Sequence, residues 1–190
     1  YQRVFSLTSE SFEPMALEIF NFQYEYNPVY KAYVDNLTVK PELVTNMTEI
    51  PFLPIELFKR HEIKTGSWNT QTTFESSGTT GVVTSRHHVF NGEQYLQSCQ
   101  QIFEEFYGPV KDYTVLALLP SYLERENSSL VYMARDFISK SDDERSDFFL
   151  NDQKSLVNAL TVLQEERKPT LLLGVTFALL DLAEAYQLEL

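Results

Sequence analysis

The chain has 190 residues, enough for one domain with a proper core. Its 43% hydrophobic and 14% aromatic content predicts an aromatic-rich globular interior, and its net charge of −12 argues against a nucleic-acid backbone as partner, because phosphate contacts need a positive footprint. No apolar run reaches the ~18 residues of a membrane span and no secretory signal is visible, although the chain does not begin with Met, so a cytoplasmic protein without a membrane span is expected.

Residues 11–35 carry a helical pattern, with Pro28 at the first turn of a second segment. Residues 37–53 are turn-like and proline-bearing, and Pro54 suits the first position of a short helix reaching Phe58. Thr72 to Glu75 is expected as a strand leading into Ser76-Ser77-Gly78-Thr79-Thr80-Gly81, and Ser85 to Phe90 as the strand leaving it. Asn91 then caps an amphipathic helix, with Gln94 completing a capping box. Tyr95, Cys99, Ile102 and Phe106 recur there at helical spacing on one face. A thiol in such a stripe is read as a small packed hydrophobe rather than a nucleophile. Cys99 is the one cysteine, which precludes an intrachain disulfide and fits a reducing compartment.

Further along, Thr114-Val115-Leu116-Ala117-Leu118-Leu119 is a near-continuous apolar run stopped by Pro120, the pattern of a strand covered on both faces in a parallel sheet. Ser128 to Ile138 reads as a helix, 142–147 as a solvated acidic loop and Asp152 to Arg167 as another helix. Thr170 to Leu173 is a second buried strand and Thr176 to Gln187 the last helix. The alternation predicts an α/β fold, a mostly parallel sheet with flanking helices linked by crossovers. A single α/β domain is expected, with 1–53 as a helical lead-in and 54–190 carrying the sheet and the loop.

Phe74-Glu75-Ser76-Ser77-Gly78-Thr79-Thr80-Gly81 is the segment richest in chemistry. It puts four hydroxyl side chains and two glycines into eight residues of a chain with only six glycines. Glycine lets successive backbone amides turn toward one point, and Ser/Thr hydroxyls add donors, which together suit a polyphosphate. No Gly-Lys-Ser/Thr follows, so the segment is not a Walker loop, and it lacks the G-x-G-x-x-G of a dinucleotide fingerprint. The same composition also occurs in Ser/Thr-rich surface turns between strands.

Ser76-Ser77-Gly78-Thr79-Thr80-Gly81 resembles the phosphate loop of the adenylate-forming superfamily, although Val82-Val83-Thr84-Ser85-Arg86-His87-His88 replaces the usual Pro-Lys-Gly continuation. Three further blocks are similar to acyl-protein synthetases, the ligase component of the bacterial luminescence fatty-acid reductase. They are Ile50 to Lys59, Leu119 to Arg125 with Ser128-Ser129-Leu130, and Leu173 to Leu180. The blocks cover most of the chain, and phenylacetate-CoA-ligase-like enzymes are the nearest neighbours of this branch.

The resemblance implies the N-terminal part of an adenylate-forming large domain, with ATP and Mg²⁺ as cofactors and a carboxylic acid as substrate. It also implies an acyl-accepting thiol, on a partner or reductase protein or on CoA. Ser76, Ser77, Thr79 and Thr80 would bind the ATP phosphates, with Gly78 and Gly81 shaping the loop. Arg86 would take part of the missing lysine's role, since its fork matches phosphate oxygens, although an exposed strand arginine is an equal reading. Tyr122 and Gly174 would border the acyl pocket; packing alone also explains each. Of His87 and His88, which alternate across a strand, at most one can face the site. Glu124 and Arg125 read as a surface charge cluster, given some interest by the resemblance.

No His/Cys/Asp/Glu spacing suggests a metal site, and the Asn-x-Ser/Thr tripeptides at Asn36, Asn46 and Asn127 read as chance. The adenine segment, the ribose-binding Asp and the catalytic Lys of the superfamily are expected beyond Leu190. A non-catalytic binding or assembly module is the competing expectation.

Overall fold

A computed structural model describes residues 2–76, 83–119 and 127–186. The chain divides into two compact units, Tyr1–Asn91 and Gly92–Leu190. Among the described residues they hold six α-helices, a three-stranded parallel sheet and an antiparallel strand pair, a mixed α/β composition.

The first unit begins with α1 (Ser9–Tyr26) and α2 (Pro28–Asn36). A reciprocal cap starts α1: the Ser11 amide donates to Thr8 Oγ1 at 3.3 Å and the Thr8 amide to Ser11 Oγ at 2.8 Å. Serine here takes the place that Glu or Gln holds in the usual capping box. Asn27 separates the helices. Its extended backbone ends α1, and its side-chain oxygen accepts from the Tyr30 amide at 3.1 Å to start α2, with Pro28 at the first position.

The junction is also where the following loop is anchored. Asn27 Nδ2 donates to Thr65 Oγ1 at 3.3 Å, and the Gly66 amide donates to the Tyr26 carbonyl at 2.8 Å. Gly66 has φ +83°, a conformation that a side chain would strain. Phe20, Tyr30 and Val34 form the core beneath, and the Tyr30 hydroxyl donates to the Pro51 carbonyl at 2.9 Å. The short helix expected from Pro54 is a 3-10 turn, Ile55–Lys59, with Pro54 just ahead of it. The strand pair β1 (Thr72–Glu75) and β2 (Arg86–Val89) belongs to this unit.

The second unit runs α3 (Gly92–Tyr107), β3 (Thr114–Leu118), α4 (Ser129–Lys140), β4 (Asp147–Phe148), α5 (Gln153–Glu165), β5 (Thr170–Gly174) and α6 (Thr176–Ala185). The strand order is β4-β3-β5, and both pairings are parallel. Side chains of β3 alternate between two helical layers. Val115, Ala117 and the following Leu119 pack with Val131, Ala134 and Phe137 of α4, while Leu116 and Leu118 pack with Leu156, Leu160 and Leu163 of α5 and Ala178 and Leu182 of α6. Cover on both faces is why this strand is apolar throughout. Each fully buried leucine contributes about 1.5–3 kcal/mol relative to exposure.

Two expectations are corrected. In α3, Cys99 and Phe103 turn inward toward Val110, Val115 and Phe137, while Ile102 and Phe106 are 59% and 73% exposed. The packed stripe therefore keeps Cys99 but continues through Phe103 instead of Ile102 and Phe106. Nor is the acidic segment 142–147 wholly solvated, for Asp143 is buried. It accepts from the Thr114 hydroxyl at 2.8 Å and from Arg145 Nε and Nη2 at 2.9 and 2.7 Å, and Lys168 Nζ lies 2.5 Å away. Ser146 Oγ accepts from the Val115 amide at 2.9 Å, and the segment ends in β4, a strand that the sequence pattern did not predict.

Candidate functional site

The strands expected around the phosphate-loop segment are present and pair with each other. Their register sets Thr72 opposite Val89, Thr73 opposite His88, Phe74 opposite His87 and Glu75 opposite Arg86. One step further, the Ser76 amide donates to the Ser85 carbonyl at 3.1 Å and the Ser85 amide to Ser76 Oγ at 3.0 Å. The hairpin thus closes on a serine pair. Ser76 uses an acceptor position there, and its hydroxyl proton stays available for donation. Ser77, Gly78, Thr79, Thr80 and Gly81 lie outside the described residues.

Period-two alternation splits the hairpin into two faces. Phe74 and Val89 are buried on one, where the His87 ring stacks on Phe58 at 6.2 Å between centroids and 19° between planes. Partial burial, then the charge of His88, holds the His87 imidazole below its ordinary pKa. The other face is polar and carries Thr73, Glu75, Arg86 and His88. His88 Nδ1 lies 3.3 Å from Thr73 Oγ1 and 3.4 Å from Thr70 Oγ1, which fixes the ring and leaves Nε2 unengaged by these hydroxyls.

Arg86 Nε is 3.5 Å from Glu75 Oε1, and the arginine side chain is 65% exposed. Glu62, whose carboxyl Lys64 holds below its ordinary pKa by hydrogen bond and charge, adds a second acid in reach of His88. Arg86 is therefore a cation of this face, with the Glu75 carboxylate in electrostatic reach. Glu75 and Ser85 were not singled out from sequence. Strand register was the signal that could have found them, because it makes Glu75 the partner of Arg86 and Ser85 the partner of Ser76.

In the second unit, Gly174 ends β5 directly opposite Leu118 of β3. The chain leaves β3 for β4 on one side and returns as β5 on the other. In open α/β sheets ligands bind beyond the carboxyl ends of strands at such reversals. A Cβ at Gly174 would meet Leu179 Cγ and Cδ2 at 2.7 Å and the Leu118 carbonyl oxygen at 3.3 Å. Glycine here lets α6 start tight against the strand end. Tyr122, Glu124 and Arg125 lie outside the described residues.

Cys99 is half-buried within the cluster of Val110, Val115 and Phe137, and burial pushes its thiol above the ordinary pKa. That is the environment of a packing thiol, not of an activated nucleophile. Among the described residues no group of three or more His, Cys, Asp or Glu is placed to hold a metal ion. No helix among the described residues is long and apolar enough to cross a membrane. Compared with known proteins, the chain matches no family model, no curated protein and no solved structure.

Proposed function

We propose that this chain is the phosphate-binding portion of an enzyme that activates a carboxylic acid with ATP and passes the acyl group to a thiol. The observation that supports this most is the hairpin. Ser76-Ser77-Gly78-Thr79-Thr80-Gly81 connects two strands whose ends are closed by Ser76 and Ser85, with the exposed Arg86 fork one residue on.

In the proposed reaction a carboxylate oxygen of the substrate attacks the α-phosphorus of ATP. The bond to the bridging oxygen breaks, pyrophosphate leaves with its electron pair, and an acyl-adenylate forms. A thiolate then attacks the acyl carbon and expels AMP, giving a thioester. Charge grows on phosphate oxygens in the first step, so donors fixed beforehand are most effective there. Ser76, Ser77, Thr79 and Thr80 supply hydroxyls and amides to the β- and γ-phosphates, Gly78 and Gly81 let the backbone turn, and Arg86 supplies a guanidinium in place of the family's lysine. Mg²⁺ bound to the nucleotide supplies charge neutralisation. Tyr122 and Gly174 border the acyl group of a fatty or aryl acid.

The test is carboxylate-dependent ATP–pyrophosphate exchange by the full natural chain with a panel of fatty and aryl acids. Thr79→Ala combined with Thr80→Ala is expected to lower exchange by about 100-fold or more, the cost typical of losing a transition-state donor. An unchanged rate overturns the phosphate assignment. A folded protein that exchanges with no acid is instead a binding module. Formation of acyl-CoA on adding CoA identifies the acceptor as CoA rather than a protein thiol.

A further inference from the structure

In the first unit, α1 forms one wall of a cavity of about 450 Å³. Phe12, Met15, Ala16, Ile19, Phe20 and Gln23 recur along it at helical spacing, a stripe about 16 Å long at a rise of 1.5 Å per residue. Val4 and Leu7 ahead of the helix, and Met47, Ile50, Phe52 and Leu53 after α2, supply the other walls, with Tyr30 between. Two hydrogen bonds hold the later segment in place. The Met47 amide donates to Glu13 Oε1 at 2.9 Å, and the Tyr30 hydroxyl to the Pro51 carbonyl at 2.9 Å. Met15, Phe20 and Tyr30 are buried, whereas Phe12 and Phe52 are 51% and 71% exposed. The result is an apolar trough with two aromatic rings open to solvent at its mouth.

Size and chemistry choose among its occupants. About 450 Å³ lies within the range of about 300–1,000 Å³ of small-molecule sites, and spread along the α1 stripe it leaves a bore about 6 Å across. A helix, about 10–12 Å wide with its side chains, does not enter such a bore. An extended peptide would bury its amides where only Gln23 and Tyr30 are polar, and the Tyr30 hydroxyl is taken by Pro51. An unbranched alkyl chain has no polar group to satisfy. Met15 and Met47 give it walls that adapt to a flexible ligand.

Leu7 and Met15 also border a second, polar cavity of about 240 Å³ that Arg3, Ser6, Ser11 and Glu18 line. Arg3 Nη1 and Nη2 donate to the two Glu18 oxygens at 3.0 and 2.9 Å, so the guanidinium charge is already matched. A lone carboxylate arriving there meets a competing acid and an engaged cation. A zwitterionic head instead offers its anion to the guanidinium and its cation to the carboxylate. We propose that the trough binds the single alkyl tail of an amphiphile whose zwitterionic head lies at Arg3 and Glu18. None of the phosphate-loop residues takes part, and the ligand is not the carboxylic acid of the reaction proposed above.

The experiment titrates the full natural chain with octyl-, decyl-, dodecyl- and tetradecylphosphocholine below their micelle concentrations, and with dodecanoate, by calorimetry at pH 7. Affinity is expected to rise about fourfold per methylene, the effect of burying one such group, and to level off once the tail fills the α1 stripe. Dodecanoate is expected to bind at least about tenfold more weakly than dodecylphosphocholine, the effect of a head without a free cation. Ala16→Phe fills the trough from a half-buried position and should weaken dodecylphosphocholine by about tenfold or more, with no lower melting temperature. Ile19→Lys, at an exposed lining position, should give the same loss and carries the test if Ala16→Phe does not fold. Binding that both variants leave unchanged overturns the proposal, and so does dodecanoate binding as tight as the zwitterion. A gain that continues undiminished to the tetradecyl tail overturns it as well. A full chain that binds no tail means that a second copy or another segment covers the trough, and the proposal fails.

Discussion

The Thr114 hydroxyl donates to Asp143 Oδ2 at 2.8 Å, and both residues are buried. The start of the central strand is therefore fastened to an acid that also holds Arg145 and Lys168, and Lys168 lies just before β5. One carboxylate gathers the amino ends of two neighbouring strands. Asp143→Asn keeps the shape but loses the charge that both cations face. Because Arg145 and Lys168 are partly exposed and can be rehydrated, the expected loss is about 2 kcal/mol, in the range for hydrogen bonds to charged groups rather than for a stranded buried ion. Urea unfolding of the two proteins at pH 7 measures it.

The same acid gives that loss a pH dependence. The Arg145 guanidinium first, then Lys168, the Arg145 amide and Thr114, hold the Asp143 carboxyl well below the usual carboxylate range. A depressed native pKa adds stability that is complete above the unfolded value of about 3.9 and is lost as pH falls from there toward the native value. The gap between wild type and Asp143→Asn should thus be constant from pH 7 to pH 5 and narrow below about pH 4. A gap that widens on acidification would contradict the assignment.

Gly174→Ala is expected to destabilise the second unit by about 1–3 kcal/mol, the usual cost of overpacking. Its new methyl would press on Leu179 and on the Leu118 carbonyl oxygen. Shortening the neighbour, in Gly174→Ala with Leu179→Ala, should recover part of the loss relative to the sum of the single changes. Thermal melts of the four proteins decide this. Strict additivity would mean that Leu179 is not what the glycine makes room for.

Cys99 should react slowly. Burial raises its thiol pKa, so less thiolate is present at neutral pH than for a free cysteine. Iodoacetamide at pH 7.5 is expected to alkylate the folded protein at least about tenfold more slowly than the urea-unfolded chain. Equal rates would show that the thiol is open to solvent and restore it as a candidate nucleophile.

The His87 ring offers a spectroscopic check of the hairpin. Burial is the main cause of its lowered pKa, and Phe58 covers one ring face at 6.2 Å between centroids. Phe58→Ala should move the His87 titration midpoint upward toward the ordinary histidine value, as followed by nuclear magnetic resonance of the ring. An unmoved midpoint would place the cause elsewhere.

What the sequence made legible is what local pattern controls. Thr72–Glu75 and Thr114–Leu118 are short runs bounded by turn residues, and the helices expected from Ser128 and from Asp152 start where those side chains cap them. What it hid depends on partners far along the chain. Asp143 looks like one acid in a charged run until Lys168 is folded against it. β4 has only two residues, too few for any periodicity to register. In α3, spacings of three and four both satisfy a helical face, so Ile102 and Phe103 were equally eligible, and only the packing of Val110, Val115 and Phe137 chose Phe103. At the hairpin the segment rich in Gly and Ser was plain from composition, whereas the Glu75–Arg86 pairing exists only once the register is known.

The pairing of β3 with β5 across two intervening helices has a consequence for synthesis. Thr114–Leu119 leaves the ribosome well before either neighbouring strand exists, and the nascent chain carries it with at most the two-residue β4 as partner until Thr170–Gly174 follows. Pairing between distant segments is the slow part of folding, and a waiting apolar strand is open to wrong partners meanwhile. Thr114–Leu119 is thus the stretch on which a chaperone would act during translation, and the interval before β5 emerges sets how long that protection is needed.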